Sequence, residues 1–136
     1  MGNKSIQEEN LGVLVKRVDY NIKKLVEAAD NYTKEMNENY TYFFCWYAES
    51  MYKMQFKLAV YRELREVINT GVFEEVVTYL TNKVEGFTDD LLSRSLRRNS
   101  TSEMMNLAHV AEAEVKQELR RVFDLSLIHI SEPTRL

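Results

Sequence analysis

LGVLVKRVDYNIKKLVEAADNYTKEM, residues 11–36, places Leu11, Val15, Val18, Ile22, Leu25, Ala29, Tyr32 and Met36 at spacings that alternate between four and three. That is the heptad seam of an amphipathic α-helix, widened on one side by Leu14 and Val26, and the helix reads as spanning residues 5–36. Charges fall between the seam positions and balance, six basic against six acidic in residues 1–36. At 1.5 Å per residue the 26-residue seam is about 39 Å long. One helix cannot bury such a stripe on itself, so partner helices or a second chain must cover it.

Working outward, Asn37 to Tyr40 forms a short break, with Asn37 or Asn39 as the cap of a second helix over residues 40–69. The alternative is one continuous rod, since no proline or glycine separates the two. Nine of the fifteen aromatic residues lie between Tyr40 and Tyr61. Phe44, Tyr47, Met51, Met54, Leu58 and Tyr61 form one stripe, and Phe43, Trp46 and Phe56 occupy another side. A helix apolar nearly all round is either central in a bundle or carries an interface. Glu49, Lys53 and Lys57 interrupt the run, which argues against a membrane span.

Asn69-Thr70-Gly71 stops that helix, and Glu74 and Glu75 suit the first turn of the next. Phe73, Val76, Val77, Leu80 and Val84 give it an inner face, and Gly86 reads as its C-terminal cap. Thr88 then caps a short helix to about Arg98. Ser100 and Glu103 make a capping box before a last helix, whose stripe is Met104, Leu107, Ala111, Val115, Leu119 and Val122, ending near Leu125. The fold expected is all-α, a compact bundle of four to five helices, two or three of them long, with residues 1–125 as one domain. Only four glycines and one proline occur in 136 residues, which argues against a turn-rich β fold.

The final string, SLIHISEPTRL (residues 126–136), holds the only proline and one of the two histidines. It looks like a translated sequencing-adapter fragment, and the expectation is a non-native or disordered tail. Such a tail hints at a microbial or phage gene.

Composition narrows the function classes. The net charge of −3 disfavours nucleic acid as a partner. A lone Cys45 forbids an internal disulfide and fits a reducing, cytoplasmic setting; beside Trp46 in an apolar stretch, it reads as buried and inert. No signal peptide is visible in the polar N-terminal stretch.

No phosphate-binding glycine loop, nucleophile elbow or H-E-x-x-H motif occurs. A di-iron Glu-x-x-His pair would need Glu where Asn106 precedes His109. The expectation is therefore no enzyme, no cofactor and no metal. Glu112 and Glu114 fall on different azimuths of their helix and read as solvated.

Two clusters remain. Arg94, Arg97 and Arg98 share one helical face in a stretch free of acids, Leu91 to Ser102, and three guanidiniums suit phosphate or carboxylate groups. Against that stands the helix dipole, which favours cations at a C-terminus, and pairing with Asp89 or Asp90. The second cluster is aromatic and methionine-rich: Tyr42, Phe43, Trp46, Tyr47, Met51 and Met54 are the interface candidates, with Met104 and Met105 adding adaptable surface.

The leading expectation is a non-catalytic helical protein that forms a homo-oligomer and binds a protein partner, with inhibition or sequestration of a host factor as the specific role, an anti-defence role included. The alternative is a binder of a nucleotide or another anionic small molecule, held by Arg94, Arg97, Arg98 and stacking tyrosines at a subunit interface.

Overall fold

A computed structural model of the protein describes residues 2–94 and 103–131. Five helices follow in order, α1 (Gly2–Glu38), α2 (Tyr40–Trp46), α3 (Ala48–Asn69), α4 (Phe73–Arg94) and α5 (Glu103–Ser131), and no strand occurs among the described residues. The architecture is an all-α bundle.

The break after α1 is real, and Asn39 makes it. Its backbone leaves the helical region (φ −156°, ψ 88°), and its side-chain oxygen accepts from the Tyr42 amide at 3.0 Å. An uncapped amide of the next helix is thereby satisfied. The continuous rod is excluded.

The aromatic segment is not one helix either. At Tyr47 (φ −122°, ψ −10°) the chain bends between α2 and α3, yet the amide ladder runs on, Tyr47 donating to Phe43 and Met51 to Tyr47. Phe43, about three helical turns before buried Met54, shares its inward face. Phe43 is buried and Phe44 exposed, although Phe44 heads the expected stripe.

Thr70-Gly71 closes α3 as expected. The Thr70 hydroxyl donates to the Val67 carbonyl at 2.7 Å, and Gly71 takes φ +72°, where a side chain would be strained. Two expectations fail in α4. It passes through Gly86 without stopping, and Thr88 is no cap, because its hydroxyl donates back to the Val84 carbonyl at 2.8 Å. A helical glycine costs only about 1 kcal/mol, and Phe87, which is buried one residue later, offsets that. The expected Ser100–Glu103 box lies outside the described residues.

Paired residues give the helix directions. Asp19 meets Arg65 and Tyr32 meets Tyr47, so α1 and α3 are antiparallel. Asp90 with Lys116 and Phe87 with Phe123 make α4 and α5 antiparallel. Lys57 with Glu118 and Tyr61 with Phe123 rise together, so α3 and α5 run parallel. The chain thus forms two tight antiparallel pairs, α1 with α3 and α4 with α5, joined across α3 and α5.

The core runs from Leu14 and Val18 through Tyr61, Leu64 and Ile68 to Val76, Leu80, Phe87, Val115, Leu119 and Phe123. Of the α1 seam, the half beyond Ile22 is only half-buried. The inner face of α5 is Ala111, Val115, Leu119, Phe123 and Ile130, a stripe that drifts away from the expected Leu107 and Val122. That helix does not end near Leu125. It continues to Ser131, with Ile130 in the core and its carbonyl accepting from the Asn10 side chain at 3.1 Å.

Candidate interaction surface

The chemistry of α2 follows from seven residues, YTYFFCW, with one ring turned inward. Phe43 anchors the helix to the bundle at 2% exposure, while Tyr40 (70%), Tyr42 (48%), Phe44 (59%) and Trp46 (69%) remain in water. Tyr42 and Trp46 are one turn apart, with ring centroids 6.4 Å from each other. Tyr47 lies 5.7 Å from both Tyr42 and Tyr32 of α1, so four rings form a continuous flank. A hydrogen bond with the Tyr42 hydroxyl pushes the Tyr47 phenol above its ordinary value. Phe44 lies two residues from Tyr42 and from Trp46, about 200° round the helix, and so belongs to the opposite flank.

That second flank borders an open apolar groove of about 340 Å³, walled by Met36 of α1, Phe43 and Phe44 of α2, Met51 and Tyr52 of α3, and Leu107 of α5. Its rim is polar and acidic. The Tyr52 hydroxyl donates to the Glu112 carboxylate at 2.6 Å, which pushes the phenol up to about 12. Lys53 sits between Glu49 (3.3 Å) and Glu114, and both carboxylates hold its ammonium above the ordinary range.

Of the interface residues named from sequence, Tyr42 and Trp46 are exposed, and Tyr47 and Met51 half-buried. Phe43 and Met54 are buried, so they support the surface from beneath. Sequence reasoning did not name Phe44 and Leu107 as contact residues, both being exposed. Phe44 lies one residue, about 100° of azimuth, off the inward face that Phe43 shares with Met54. Cys45 is exposed on α2 rather than buried, because it faces away from the side held by Phe43.

Arg94 closes α4; its side chain, and Arg97 and Arg98 entirely, lie outside the described residues. The side chains of Met104 and Met105 do too. Among the described residues, no three metal-binding side chains converge and no helix is long and apolar enough to cross a membrane. Comparison with known proteins finds no matching family model, no significantly similar curated protein and no significantly similar solved structure.

Proposed function

We propose that this chain is a non-catalytic interaction protein that self-associates and binds a macromolecular partner through the aromatic end of its bundle. The observation that carries the reading is the exposure of Tyr40, Tyr42, Phe44, Trp46 and Tyr52 around one short helix. At 150–250 Å² per fully accessible ring, the exposed fractions on the two flanks together amount to roughly 400–700 Å². One side of a standard interface is about 800 Å². Aromatic residues and methionine are also the side chains enriched at such interfaces. The exposed Cys45 within the patch suits a reducing, cytoplasmic setting, where it stays a thiol. Sequestering or inhibiting a partner is the role such a surface serves without chemistry of its own.

Native mass spectrometry of the protein as purified from cells tests the reading, with sedimentation of the Tyr42→Ser/Trp46→Ser variant beside it. The expected result is an oligomer for the natural sequence and a folded monomer for the variant. A monomer without retained partner in both preparations overturns it.

A further inference from the structure

The geometry points to a cationic amphipathic α-helix as the occupant of the groove between α1, α2, α3 and α5, an assignment that rests on the interaction reading and names the partner's chemistry. The groove's volume, about 340 Å³, lies within the range of roughly 300–1,000 Å³ that holds specific ligands. Along α3 its wall runs from Ala48 to Gln55, about 10 Å. Anchors at i, i+3 or i+4, and i+7 of an incoming helix cover the same length, the pattern of helix-in-groove recognition. Met36 and Met51 in the wall are unbranched thioethers that adapt to the shape of whatever enters.

Charge decides which helix. On the α3–α5 side Glu49 and Glu114 pair with the ammonium of Lys53, and Glu112 accepts from the Tyr52 hydroxyl. Among the described residues on that side, three carboxylates against one ammonium leave a surplus of two negative charges, which attracts a basic partner and repels an acidic one. A second copy of this chain would bring an identical acidic rim against the first. Tyr42 and Trp46, on the other flank of α2, leave the groove open when they self-associate.

The probe is a labelled 15-residue peptide with Leu at i, i+3, i+4 and i+7 spacing and Lys elsewhere, titrated by fluorescence anisotropy. Two control peptides replace every Leu by Gln or every Lys by Glu. The expected result is saturable binding of one Leu/Lys peptide per chain, weakened about tenfold or more by Leu107→Asp and also weakened by Glu49→Lys. Both positions are solvent-facing, and circular dichroism confirms that each variant folds. Equal binding of either control, or Leu107→Asp binding like the natural sequence, overturns the assignment. So does a peptide that splits an oligomer into monomers, which makes the groove a self-association surface and leaves the interaction reading intact. Peptide binding to a protein that is monomeric at every concentration supports the groove and removes self-association.

Discussion

Phe123→Ala is the substitution whose cost the structure specifies most fully. The ring has no exposed surface. It meets Tyr61 edge-on at 6.0 Å and stacks on Phe87 at 6.5 Å, so one side chain ties α5 to both α3 and α4. Removing a sealed phenylalanine costs about 3–5 kcal/mol, and loss of two aromatic contacts places this site near the upper end. For a chain of 136 residues a loss of about 4 kcal/mol lowers the melting temperature by roughly 15 °C. In urea the midpoint falls by about 2 M. Trp46→Ala provides the contrast. Its ring is 69% exposed, and the expected stability change of the separated chain is within about 0.5 kcal/mol. Urea unfolding of both variants, followed by circular dichroism at a concentration where the chain is monomeric, is the assay. A loss below about 2 kcal/mol for Phe123→Ala, or a larger loss for Trp46→Ala than for Phe123→Ala, refutes the division into inner and outer aromatics.

Two glycines predict opposite signs. Gly71→Ala forces a side chain into φ +72°, at a cost of about 1–2 kcal/mol. Gly86→Ala meets nothing within 4 Å of the new methyl, so it raises stability by up to about 1 kcal/mol; denaturant midpoints read both. Tyr52 and Tyr61 are both pushed up to about 12, the first by Glu112 and the second by burial, and burial moves Tyr79 the same way. A folded value above the unfolded one near 10 means that the contribution is complete below that pH and is lost as pH rises through the folded value. Stability therefore falls across that alkaline window, and Tyr61→Phe flattens the fall; a profile unchanged by the substitution contradicts it. Deleting residues 126–136 removes buried Ile130 and half-buried Leu127, with an expected loss of about 3 kcal/mol. An unchanged midpoint would restore the sequence reading, in which the helix ends near Leu125.

Legibility follows the range of the forces involved. The helices of this bundle were readable where local chemistry decides them: the α1 seam, the Asn39 cap and the Gly71 turn each depend on a few adjacent residues. Gly86 misled because a helix-breaking tendency worth about 1 kcal/mol competes with burial of Phe87 against Phe123, a ring distant in sequence. The α5 stripe shifted for the same reason, since Phe123 and Ile130 answer to the helices they meet rather than to a heptad. At the candidate surface, Tyr42 and Trp46 were legible as an excess of rings on one segment. Phe44 was not, because the apolar spacing fits Phe44 and its neighbour Phe43 to the inner stripe about equally, and packing against the bundle selects Phe43. The groove was hidden as well, being assembled from four helices, and so was the pairing of Lys53 with Glu114 across 61 residues of chain.

Trp46 is the chain's only tryptophan, and it stands at the centre of the proposed contact, so its fluorescence tests the central claim most directly. Emission and acrylamide quenching are recorded over a dilution series. The account predicts a blue-shifted, quencher-protected indole at high concentration that becomes water-exposed on dilution, and one that is water-exposed throughout in Tyr42→Ser. An indole in water at every concentration of the natural sequence would contradict it.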